Sequence, residues 1–136
     1  MKVHHDYYDQ LGDIALFSGL GRAALRLVGS VTTGIDGPAG TVWTTEGKPG
    51  LEAFVIVDGE ASVTVEGEEV AVLGPGAVFG EMALLDRAPR AATVTALTPM
   101  RLLVMSTAEF RSLLDRVPEI EDRVLAAKAY RSQQAA

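Results

Sequence analysis

The stretch FGEMALLDRAPRAATV, residues 79–94, decides how the rest of the chain is read. It sets one carboxylate, Glu81, nine positions before one arginine, Arg90, with the apolar run Met82-Ala83-Leu84-Leu85 and the turn-like Asp86-Arg87-Ala88-Pro89 between them. Gly80 lets a backbone come close to a ligand, because it has no Cβ to hold one off. Met82 to Leu85 are good helix formers, so a single helical turn is expected to start near Glu81. The first amides of a helix have no internal partners and attract anions. Arg90 adds a permanent charge and a planar fork suited to phosphate oxygens. Glu81 would repel a phosphate and is better matched to a sugar hydroxyl. An acid for a hydroxyl, an arginine and open amides together describe a compact sugar phosphate. The alternative is an exposed salt bridge between Glu81 and Arg90 across a hairpin, an arrangement that contributes little.

Around this stretch, turn signals recur at Gly37-Pro38, Gly47-Lys48-Pro49-Gly50, Asp58-Gly59, Glu66-Gly67 and Gly74-Pro75-Gly76. A spacing of about one turn per 8–12 residues marks a sandwich or barrel of short antiparallel strands, here from about Val31 to Met105. Ser62 and Thr64 alternate with Val63 and Val65, and Thr93 and Thr95 with Val94 and Ala96. Such alternation implies strands with one face on the core. Phe54-Val55-Ile56-Val57 is apolar throughout, as in a strand covered on both faces. The rhythm breaks only at Phe79 to Arg90.

Helical spacing bounds the β zone on both sides. Before it, Leu11, Ile14 and Ala15 form one set and Ala24, Leu25, Leu27 and Val28 another, separated at Ser18-Gly19. After it, Ser106-Thr107-Ala108-Glu109 fits a capping box. Phe110, Leu113, Leu114 and Val117 then recur on one helical face. Pro118 ends that helix and suits the first turn of the next, where Glu119, Glu121 and Asp122 early and Lys128 and Arg131 late complement the macrodipole.

Composition narrows the function classes. The chain has 136 residues, 48% of them hydrophobic and 22% charged, as in a globular domain with one core. The formal charge of −6 argues against a nucleic-acid surface and requires a local cationic site for any anionic ligand. With no cysteine there is neither a disulfide framework nor thiolate chemistry. MKVHHDYYDQ lacks the apolar stretch of a signal peptide, and no apolar run is long enough to span a bilayer, so a cytoplasmic protein without membrane partners is expected. A cupin-like metalloenzyme needs histidines in its strands, and none lies between Val31 and Met105. His4 and His5 read as terminal residues and Trp43 as core or sheet surface.

FGEMALLDRAPRAATV resembles the phosphate-binding cassette of the cyclic nucleotide-binding domain family. It is similar above all to the cassettes of protein kinase A regulatory subunits. LFSGL at 16–20, EGKPGLEAFVIVDGEASV at 46–63 and LGPGAVFGE at 73–81 extend the likeness over nearly the whole chain, which is also similar to catabolite activator-type regulators. The resemblance implies a mainly β fold, an eight-stranded antiparallel jelly-roll-like β-barrel, with a helical pair before it and one or two helices after it. It divides a single domain, 1–136, into a helical segment 1–29, a barrel 30–105 with its cassette at 79–92, and C-terminal helices 106–136.

Residue by residue, the resemblance implies that Glu81 accepts the ribose 2′-hydroxyl and Arg90 pairs with the exocyclic phosphate oxygens. Gly80 permits the approach, and amides near Met82, Ala83 and Ala91, beside Ala92, complete the cradle. Ala91 stands where cGMP-preferring members often carry threonine, which favours 3′,5′-cyclic AMP. The C-terminal helix offers Tyr130 to stack on the purine and Gln133 or Gln134 to hydrogen-bond it. Gene-regulating relatives continue into a helix-turn-helix that is not found in this sequence, so no DNA-binding output is expected, and the family's sensor role implies no catalysis. The resemblance thus implies a sensor with cAMP as ligand, no cofactor, no metal and no nucleic-acid partner, acting on an unidentified effector. A member that has lost its ligand would instead serve as an interaction module, pairing as a homodimer through Ile120, Val124 and Ala127 of the last helix.

Overall fold

The computed structural model describes residues 17–80 and 88–135. Among them, α1 (Arg22–Val31) leads into eight strands: β1 (Thr33–Gly37), β2 (Val42–Thr44), β3 (Glu52–Asp58), β4 (Ala61–Val65), β5 (Glu68–Leu73), β6 (Val78–Phe79), β7 (Thr93–Ala96) and β8 (Met100–Ser106). Two helices follow, α2 (Thr107–Arg116) and α3 (Pro118–Ala135). No helix among the described residues is long and apolar enough to cross a membrane.

The strands form two antiparallel four-stranded sheets, ordered β1-β8-β3-β6 and β2-β7-β4-β5. The chain crosses from one sheet to the other repeatedly, giving the expected mainly β jelly roll. Its closure differs from expectation. No strand pairing joins the two sheets among the described residues, so the barrel is a two-sheet sandwich and not a closed ring. What joins them is side-chain packing. Phe54, Ile56, Phe79, Leu102 and Val104 of the first sheet cluster with Ala61, Val94 and Ala96 of the second.

A second core covers the other face of the first sheet, where Ala53, Val55, Leu103 and Met105 pack with Val28, Phe110, Leu113, Leu114, Val117, Ile120 and Val124 from the helices. Strands β3 and β8 are therefore buried on both faces. That is why Phe54-Val55-Ile56 is uninterrupted by polar residues. Val94 and Ala96 point inward while Thr93 and Thr95 are half-exposed, as their alternation implies.

The helices begin and end where local chemistry directs. The Ser106 hydroxyl accepts from the Glu109 amide at 3.2 Å, and the Glu109 carboxylate accepts from the Ser106 amide at 2.9 Å. This capping box opens α2, and Pro118 is the first residue of α3. At the other boundary Val31 belongs to α1 and not to the β zone, because it continues the helical stripe of Leu27 and Val28 onto the core. The chain turns extended at Thr32. The earlier helical piece around Leu11, Ile14 and Ala15 lies outside the described residues.

Candidate functional site

The site grows from the end of β6. That strand has only two residues, with Phe79 opposite Phe54 and Val78 opposite Val55 on β3. It stops at Gly80, whose φ of +84° lies in the left-handed region. A Cβ at Gly80 would sit 2.5 Å from Nη1 of Arg90, 3.0 Å from the Glu52 carbonyl oxygen and 3.3 Å from Cδ1 of Phe54. Only glycine fits between these groups.

Arg90 is held through its backbone and its side chain. Its amide donates to the Lys48 carbonyl at 2.8 Å, and its carbonyl accepts from the Gly47 amide at 2.9 Å. Pro89 bridges Pro49 next to this pair. The 47–49 turn thus grips the peptide units on both sides of Arg90. The guanidinium folds inward: Nη1 donates to the Gly80 carbonyl at 2.9 Å and Nη2 to the Glu52 carbonyl at 2.8 Å. Its central carbon lies 5.7 Å from the centre of the Phe54 ring, within cation–π range. Phe54 in turn stacks on Phe79, with centroids 4.8 Å apart and planes 14° from parallel. At 8% exposure Arg90 is a buried cation, which excludes the exposed surface ion pair as a description of it.

A neighbouring network fixes the chain after Arg90. In the β2–β7 ladder the register shifts between Val42 and Thr44. There the buried Thr44 hydroxyl donates to the Ala92 carbonyl at 3.1 Å and accepts from the Val94 amide at 3.2 Å. One side chain thereby replaces ladder bonds that the shift removes. Thr93 accepts from the Glu46 amide at 3.0 Å, and the Glu46 carboxylate accepts from the Glu66 amide at 2.9 Å.

Of the residues singled out in the sequence, Gly80 and Arg90 are in direct contact, Ala91 is exposed and Ala92 is half-buried. Glu81, Met82 and Ala83 lie outside the described residues. Tyr130, Gln133 and Gln134 fall within α3, but the description of its side chains ends at Ala126. Trp43 is half-buried against the inner core, its indole N–H donating to Sδ of Met100 at 3.3 Å. The groups missed are Thr44, Glu46, the 47–49 turn and the Glu52 carbonyl. Most act through backbone atoms, which no residue pattern announces.

Residues 37–117 match the family described as "Cyclic nucleotide-binding domain". The chain belongs to the cyclic nucleotide-binding domain family. The matched span runs from the end of β1 through α2 and contains the whole of 79–94. The chain is 41% identical over 109 residues to a cyclic nucleotide-gated potassium channel of Mesorhizobium japonicum, covering 80% of this chain and 30% of that one. The catabolite activator protein of Thermus thermophilus superposes with a TM-score of 0.80 at 30% identity, covering 88% of this chain and 59% of that one. The regulatory domain of Toxoplasma gondii protein kinase A, crystallised with cAMP, gives a TM-score of 0.72 at 31% identity, covering 83% and 45%. The chain therefore spans between 30% and 59% of the length of these three relatives.

Proposed function

We propose that this cyclic nucleotide-binding domain is a regulatory sensor for 3′,5′-cyclic AMP, acting by binding and not by catalysis. The observation that carries the reading is the placement of Arg90, a buried cation gripped on both sides of its backbone and set against the left-handed Gly80. Two carbonyl bonds fix the plane of the guanidinium in advance, which lowers the ordering cost of binding an anion. Arg90 takes the cyclic phosphate, Glu81 the ribose 2′-hydroxyl, and the amides of Met82, Ala83 and Ala91 the remaining oxygens. The exposed Ala91 offers guanine no hydroxyl, which favours adenine. The crystallised regulatory domain of Toxoplasma gondii protein kinase A supports the choice of cAMP. A potassium channel, a catabolite activator protein and a protein kinase A regulatory domain share this module, so the output lies with whatever effector reads it; a cytoplasmic setting suits the ligand.

Titration calorimetry of the intact chain with cAMP and with cGMP tests the reading. Saturable binding with cAMP the tighter ligand is expected. Arg90→Lys should weaken cAMP by about a hundredfold or more, since the charge survives but the fork does not. No heat and no thermal shift at millimolar cAMP would overturn the proposal and leave an interaction module on the same fold.

A further inference from the structure

The second sheet ends in an edge strand, β5, that contributes none of the residues placed around Arg90 above. Among the described residues β5 pairs only with β4, so alternate N–H and C=O groups along it face away from the sheet. Its six residues make it the longest of the four edge strands; β1 has five, β2 three and β6 two. Soluble proteins commonly blunt such an edge with charge, proline or a bulge. This one carries Glu68, Glu69 and a register shift but no lysine or proline, and still exposes Val70 at 60% and Val72 at 49%.

Register shows how these side chains are presented. Ser62 lies opposite Val72 and Thr64 opposite Glu69, while Val63, which packs on the inner core, lies opposite Ala71. Val72 and Glu69 therefore share the outer face of the sheet. A Ser62 hydroxyl 2.6 Å from the Glu69 carboxylate holds that carboxylate on this face. Val70 is the extra residue between Glu69 and Ala71, where the register shifts. The hairpin turn, with Glu66 at φ +52° and Gly67 at φ +82°, has the left-handed pair that fits a two-residue connection.

The charge around the edge has one sign. Glu60, Glu66, Glu68 and Glu69 border the hairpin, and no lysine or arginine occurs in the sequence between Lys48 and Arg87. An apolar edge with an acidic rim is complementary to an extended strand that alternates apolar and basic side chains. A second copy of the chain would bring two such acidic rims together.

We propose that β5 is a docking strand for an extended segment of a partner protein in which apolar residues alternate with lysine or arginine. The partner strand joins the sheet as a fifth member, its backbone pairing with β5. Its apolar residues cover Val70 and Val72 on the outer face, and its cations, on the opposite face, meet Glu68, which lies across from Val65. This assignment is independent of what Arg90 binds.

The test uses the intact chain and a fluorescein-labelled, end-blocked peptide Lys-Val-Arg-Val-Lys-Val, followed by anisotropy. Saturable binding is expected. It should weaken at least about tenfold in Val70→Lys and in Glu68→Lys, each checked for unchanged melting, through like-charge repulsion at the edge. The same peptide with alternate amides N-methylated should also lose at least about tenfold, because its pairing edge is blocked. Equal binding of the methylated peptide would overturn the docking strand in favour of charge attraction alone. Failure of the parent peptide to bind would also overturn it. So would a homodimer in sedimentation that Val70→Lys dissociates, since the occupant would then be a second copy.

Discussion

Replacing Gly80 with alanine tests the centre of the site, and a second glycine supplies the reference. Gly76 and Gly80 have nearly the same backbone, with φ of +90° and +84°. A Cβ at Gly76 would meet nothing within 4 Å, whereas one at Gly80 would meet Arg90, Glu52 and Phe54. Both substitutions carry the left-handed penalty of an L-residue, about 1–2 kcal/mol. Only Gly80→Ala must also displace the Arg90 guanidinium. That forfeits the bond from Nη1 to the Gly80 carbonyl, a charged hydrogen bond contributing about 1.5–3 kcal/mol. The Glu52 carbonyl at 3.0 Å belongs to a strand and cannot yield as a side chain does. Gly80→Ala is therefore expected to destabilise the chain by about 2.5–5 kcal/mol, against about 1–2 kcal/mol for Gly76→Ala. Urea unfolding followed by Trp43, the only tryptophan, reads both values on one scale. The affinity for cAMP should fall by more than about tenfold in the first variant and stay unchanged in the second. Equal destabilisation of the two would refute the claim that Arg90 is held over Gly80.

Three further expectations follow from the same contacts. Thr44→Val keeps the side-chain volume but leaves the Ala92 carbonyl and Val94 amide without their shared partner, so a loss of about 2–4 kcal/mol is expected in urea; a loss below about 0.5 kcal/mol would remove the hydroxyl from its role. Glu52 holds Arg90 through its carbonyl and pairs across the ladder with Ser106, the cap of α2. Arg90→Lys and Ser106→Ala should therefore depart from additivity by more than about 0.5 kcal/mol in a double-mutant cycle, and strict additivity would show that the step between them transmits nothing. Hydrogen bonds from Arg101 hold the Asp36 carboxyl below the usual carboxylate range. Its contribution to stability is thus present above the unfolded value of about 3.9 and lost as pH falls through the lower folded value. Because both side chains are exposed, Asp36→Asn should change the acid limb of a stability–pH curve only slightly and less at high salt; a large, salt-independent change would contradict that exposure.

What could be read in advance was whatever a short run of residues determines by itself. The capping box at Ser106 to Glu109 depends on neighbours three positions apart, and it forms as its residues require. The unbroken apolar run of β3 announced two covered faces, and its residues divide between the two cores. Which strands fall in which sheet was not legible, because it depends on which distant strands pair. Arg90 was conspicuous, but its partners were not. The carbonyls of Gly80 and Glu52 and the turn amide of Gly47 belong to backbone that any residue could supply. Thr44 had a visible hydroxyl in a strand, and only the register shift beside it makes that hydroxyl structural.

The geometry also narrows how the proposed binding at Arg90 would reach the helices. One connection runs within β3. The carbonyl of Glu52 holds the guanidinium and the ring of Phe54 lies against it, while Ala53 and Val55 between and beyond them face the helices. Across the ladder, Glu52 meets the residue that caps α2, and the Thr107 hydroxyl donates to the carbonyl of Leu51 at 3.4 Å. An anion that changes the hold of Arg90 on Glu52 thus acts one ladder step from the start of α2. Only the difference in ligand affinity between two arrangements can move that equilibrium. The strand that positions the cation is also the floor on which the helices rest, so the two events share one set of backbone bonds.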